Sequence, residues 1–163
     1  MAKATSIANK AAISLLDDFQ ATQIDGGTAN PEAHIKVYDG IPPTRVDDAL
    51  SSNNIAFDFL LTTPPSFEAA VDNPGSTRAD MDIDTTWRTG GDANSNIATK
   101  INGTSTVTFF RIHDRDDVGI IQGTVDTVSS GLGDMLIAGA DLSFDAGEQL
   151  RIDTHQIRLP EGP

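Results

Sequence analysis

Residues 109–123 read FFRIHDRDDVGIIQG, and within them His113 to Asp117 holds a histidine, an arginine and three aspartates in five positions. These side chains are either a reactive cluster or the polar tip of a β-hairpin, and the choice decides the fold. On the near side Val107, Phe109 and Arg111 alternate with Thr108, Phe110 and Ile112. Successive strand side chains point to opposite faces, so both faces here are partly apolar, as in a central strand. On the far side Val118, Ile120 and Ile121 resume the apolar pattern. Two β-runs around a short polar segment make a hairpin, and aspartate serves turns by binding nearby backbone N–H groups. The stretch reads as a hairpin.

Further strands follow outward from it. His34 to Tyr38 alternates and stops at Asp39-Gly40 before Ile41-Pro42-Pro43. Ile55, Phe57, Phe59 and Leu61 share one face of a strand that Thr62-Thr63-Pro64-Pro65 terminates. Residues 66–80 read as loop with one short helical turn at Phe67–Val71. Met81–Trp87, Ile97–Ile101 and Val118–Val128 read as strands, Leu136–Phe144 is ambiguous, and Gln149–Leu159 closes the chain. In that last strand Leu150 and Ile152 share one parity while Ile157 and Leu159 share the other. Such a slip marks a bulge, or a strand that passes from one sheet to another.

One helix is expected, from about Ser6 to Phe19. Ile7, Ala11, Ala12, Leu15, Leu16 and Phe19 recur at spacings of three and four, with Thr5 or Ser6 as cap. The expected class is mainly β: an antiparallel β-sandwich or barrel, jelly-roll-like, with a short N-terminal α-helix. Residues 1–30 would be the helix and a linker arm, and 31–163 a single β-domain.

Charge narrows the function. Against 24 Asp+Glu stand 11 Lys+Arg, a net of −13, so nucleic acid and anionic membranes would be repelled. The chain has no cysteine, which removes disulfides and thiolate metal sites. No sustained apolar run precedes the acids at the start, and none approaches 18 residues, so neither a signal peptide nor a membrane span is expected.

Three constellations invite chemistry. Asp114, Asp116 and Gly119 fall on positions one, three and six of an EF-hand loop, but Val118 and Val125 occupy positions that must supply ligands. Asp80, Asp82 and Asp84 place three carboxylates on one strand face, as a cation site or acid/base pair would require. The ordinary reading is a solvent-facing strand with Met81 and Ile83 turned inward. These five aspartates are the weak metal candidates, and no metal or other cofactor is expected. His34, His113 and His155 lie in no catalytic or metal motif, and no catalytic residue is assigned.

The order of features resembles a loose group of small virion structural proteins of tailed bacteriophages. The segments that carry the resemblance are SIANKAAISLLDDF (6–19), VYDGIPP (37–43), TTPPSF (62–67), TVTFFRIHD (106–114), IIQGTV (120–125) and FDAGEQLRIDTHQIRLP (144–160). Two departures stand out. No Asp-Gly turn follows Val118, and Phe109 occupies the place where a Trp often precedes the Phe-Arg pair. The resemblance implies a β-sandwich or barrel that coats or connects parts of a virion assembled in a host cytoplasm. The leading expectation is a non-enzymatic capsid decoration (cement) protein that bridges capsid subunits. Its partners would be the major capsid protein or other virion proteins, and further copies of itself, with trimers common in that group. The alternatives are a tail, neck or baseplate component, or a receptor- or carbohydrate-binding module presenting Tyr38 or Trp87. Ile7, Leu15, Leu16, Phe19 and Trp87 are the expected interface residues, the first four on a helix able to dock on a neighbour.

Overall fold

A computed structural model describes residues 7–61, 65–72, 78–82, 97–152 and 156–160. Thr5, Ser6, Asp84, Trp87 and His155 lie outside the described residues. The chain is mainly β with one short N-terminal helix, and its main sheet is mixed and curls into a half-barrel. Helix α1 spans Ile7–Phe19 and runs on into a π-turn, Gln20–Ile24. The strands are β1 (His34–Asp39), β2 (Ile55–Leu60), β3 (Val71–Asp72), β4 (Arg78–Asp82), β5 (Ile97–Thr99), β6 (Ser105–His113), β7 (Gly119–Thr127), β8 (Met135–Ile137), β9 (Ser143–Phe144), β10 (Gln149–Arg151) and β11 (Gln156–Pro160).

The main sheet runs β2-β1-β6-β7-β8, with β9 paired to the start of β6. All its pairs are antiparallel except β7–β8, where Val125, Asp126 and Thr127 lie beside Met135, Leu136 and Ile137 in parallel. Strand β10 pairs with β5, and β11 pairs with β4, which also carries β3. The parity change between Leu150 and Ile157 is thus a passage between sheets, since the closing segment leaves β5 and joins β4.

One face of the main sheet builds the core. Ile35, Val37, Phe57, Phe59, Phe110 and Ile112 are buried there with Leu16, Phe67, Met81 and Leu150. Each such side chain removed from water contributes about 1.5–3 kcal/mol. Gly123 permits a close approach, because a Cβ there would stand 2.6 Å from the Phe110 ring.

Helix α1 packs on its own chain, against β3, β4 and β11. Ala12 and Leu16 are buried in the core and Phe19 packs against it. The Asp17 carboxylate accepts the Ala70 N–H at 2.8 Å.

Three local expectations are corrected. Phe67–Val71 is not a helical turn: Val71 and Asp72 pair with Asp80 and Ala79, and Ala70 N–H is committed to Asp17. Val107 does not share a face with Phe109. The β1–β6 register shifts between Tyr38 and Asp39, and Val107 joins Phe110 and Ile112 in the core. Asp80 does not face solvent; it is 5% exposed, in the middle strand of a three-stranded sheet.

Candidate functional site

The second face of the main sheet carries the polar chemistry. Register places Asp58, Lys36, Arg111 and Gln122 in one row across β2, β1, β6 and β7. Lys36, Arg111 and His113 are buried there beside Tyr38. A polar or charged group out of water needs hydrogen-bond partners, and each of these has them: Lys36 pairs with Asp117, while Arg111 and His113 are held by neutral acceptors and donors. Arg111 donates through Nε to Gln122 at 2.9 Å and through Nη2 to the carbonyls of Arg45 and Asp48. Gln122 in turn donates to the Pro43 carbonyl. The segment after β1 therefore closes over this face as a lid of backbone acceptors.

At the end of the row sits the hairpin tip. His113 Nδ1 lies 3.0 Å from the Asp117 carbonyl, which can only accept, so Nδ1 carries the proton of the neutral ring. Its Nε2 then accepts from the Tyr38 hydroxyl at 2.9 Å. Tyr38 stacks on Phe109 with ring centroids 5.0 Å apart. Burial pushes the Tyr38 hydroxyl upward in pKa, and the Asp117 charge adds to it. Burial likewise lowers His113; the Asp117 carbonyl opposes this, while the Lys36 and Arg111 charges reinforce it.

The three aspartates each have a separate task. Asp114 accepts the Asp116 and Val118 N–H groups at 2.9 and 2.8 Å, closing the turn. Asp116 reaches across to the Thr28 and Ala29 N–H groups at 2.8 and 2.9 Å. Those two bonds hold its carboxyl below the usual range. Asp117 adopts φ 65°, a left-handed conformation that aspartate tolerates. There its carboxylate receives Lys36 Nζ. Burial raises the Asp117 carboxyl, but the Lys36 hydrogen bond and charge, with His113 and His34, outweigh this and lower it. Arg115 completes the tie by donating from Nε to the Asn30 carbonyl and accepting the Asn30 N–H.

The stretch is a hairpin, as expected from the sequence, and its tip is also a fastener that joins the hairpin to residues 26–30, which was not expected. Lys36, Tyr38 and Arg111 were not expected as partners. The available signal was a cation or phenol recurring inside otherwise apolar strand runs.

Other expected residues are scattered. Asp80 and Asp82 stand on β4, away from the tip, and no group of three His, Asp or Glu is placed to hold a metal among the described residues. Leu16 and Phe19 belong to the chain's own core, whereas Leu15 is 57% exposed. A depression of about 530 Å³ lies between the π-turn and residues 65–69. Its carboxylates are engaged, Asp17 with Ala70 and Asp25 with Ser66 and Gln20. Large apolar side chains stand in solvent at Ile41, Val128, Leu132 and Leu136, among others. No described helix is long and apolar enough to cross a membrane. Compared with known proteins, the chain matches no family model, no curated protein and no solved structure.

Proposed function

We propose that the chain is a non-enzymatic structural protein of a tailed-bacteriophage virion, a decoration or cement protein that bridges capsid subunits on the outside of the head. The observation that carries the non-enzymatic part is the use of the hairpin tip. Its three aspartates bind the protein's own backbone and Lys36, and its histidine is closed between Tyr38 and Asp117. The virion part rests on the order of short motifs set out above. An acidic surface suits an outward-facing subunit that must stay dissolved before assembly.

The runner-up within the class is a tail, neck or baseplate position. A carbohydrate- or receptor-binding module is disfavoured by one observation: Tyr38, one of its two aromatic candidates, is 1% exposed, against Phe109 and His113. Antibody against the chain, applied to intact virions of the phage that encodes it, tests the proposal by electron microscopy. Labelling over the head is the expected result. Labelling confined to the tail selects the runner-up, and unlabelled virions that lack the chain by mass spectrometry overturn the virion reading.

A further inference from the structure

We propose that the β7–β8 edge of the main sheet is a strand-addition site for an extended segment of another protein in which apolar and basic side chains alternate. The inference does not depend on the virion reading, because the surface would serve such a partner inside a particle or outside one.

Strand β8 ends the order of the main sheet, and nothing pairs with its outer edge among the described residues. An open edge presents unpaired N–H and C=O groups, the template an added strand uses. This edge is held in place rather than frayed. Met135 and Ile137 are anchored in the core, the Val128 N–H reaches the Ile137 carbonyl at 3.0 Å, and Asp134 accepts from both the N–H and the hydroxyl of Thr124. Between the two anchors Leu136 turns outward at 47% exposure. Leu132, 85% exposed, and Val128 stand out from the connection that leads into it.

Charge chooses the occupant. From Asp116 to Leu150 the sequence has seven acids and no Lys, Arg, His or Pro. Asp126 lies opposite Leu136 in register, and Asp134 and Asp141 flank the strand. Soluble proteins guard open edges by keeping them short and by placing charges, most often lysine, or proline on them. Here the strand is three residues long and the guarding charges are carboxylates alone. A second copy laid along this edge would bring the same all-acidic stretch alongside itself, and like charges brought together repel. A strand bearing Lys or Arg at alternate positions neutralises them, while its apolar side chains cover Leu136.

The test uses the full chain, isotope-labelled for NMR, and two fluorescein-labelled peptides of about ten residues, enough for one strand. One alternates Lys and Val; the other has the same composition with Lys and Val in separate blocks. The expected result is saturable binding of the alternating peptide, with amide shifts concentrated at Val128 and residues 135–137. Leu136→Lys should weaken that binding by about tenfold or more. If this variant does not fold, Asp126→Lys should weaken it in the same direction. Equal binding of both peptides with shifts spread over the acidic surface overturns the proposal, as does binding indifferent to both variants. Self-association that Leu136→Lys abolishes, without peptide binding, assigns the edge to a second copy and overturns it too.

Discussion

The Tyr38 hydroxyl donates to His113 Nε2 at 2.9 Å, so two neighbouring central strands are joined by a side-chain bond in which the neutral imidazole accepts. Protonating His113 would reverse that bond, with Nε2 donating to the Tyr38 oxygen, and would set a buried positive charge beside Lys36 and Arg111. Because folding lowers the His113 pKa, the unfolded chain binds the proton first as pH falls. Stability should therefore be full above the ordinary histidine range near about 6.5 and decline below it. Thermal melts from pH 8 to pH 5 should show this fall, and His113→Gln should flatten it between about pH 6.5 and 5. A slope unchanged in the variant would place the titrating group elsewhere.

At still lower pH a second loss is expected. The carboxyls of Asp116, Asp117 and Asp126 are all held below their usual range, so their contributions persist until the pH passes below about 4. Tyr38 acts in the opposite sense. Its raised pKa means that the unfolded phenol ionises first, so stability should fall as pH rises beyond about 10.

Asp116→Ala should loosen residues 26–30 without unfolding the β-domain. Its carboxylate holds the Thr28 and Ala29 N–H groups, and Gly27 at φ 87° allows that carboxylate to sit against the backbone. Hydrogen exchange should accelerate at those two amides and leave β1 and β6 protected. Unchanged exchange at Thr28 and Ala29 would count against the fastener.

Gly123→Ala should cost about 1–3 kcal/mol, the usual penalty for overpacking a filled site. The new methyl meets the Phe110 ring and the Asp134 Cβ at once, so neither neighbour can yield freely. A denaturant midpoint equal to that of the parent protein would show that the approach is looser than the geometry indicates.

Two adjacent leucines on α1 should differ sharply. Leu16→Ala opens the core and should cost about 2–5 kcal/mol. Leu15→Ala touches an exposed side chain and should stay within about 0.5 kcal/mol of the parent. Removal of residues 1–20 deletes Ala12, Leu16 and the Asp17–Ala70 bond together, and should destabilise the β-domain, as urea unfolding would report.

Much of the fold was legible because it obeys local periods. The spacing of Ala12 and Leu16 announced the helix, and the alternation around FFRIHDRDD announced a central hairpin. The parity change between Leu150 and Ile157 announced a bulge or a passage between sheets, and the pairing first with β5 and then with β4 decides for the passage. Features decided by distant partners were not legible. No period marks the register shift that sends Val107 into the core, because it depends on how β1 lies against β6. The buried side of Asp80 follows from β3 and β11 flanking β4. The polar face was hidden for a related reason: Arg111 and Gln122 look solvent-facing until the Pro43, Arg45 and Asp48 carbonyls bind them, and Lys36 until Asp117 does. The candidate site was half visible, since the tip residues were found but the residues they fasten were not.

The proposed head role is tested most directly by titrating the purified chain onto expanded heads of a tailed phage whose genome carries this sequence and sedimenting the mixture. The expected result is co-sedimentation that saturates at a copy number compatible with the head's symmetry. Failure to pellet with heads, or uptake that never saturates, would contradict it.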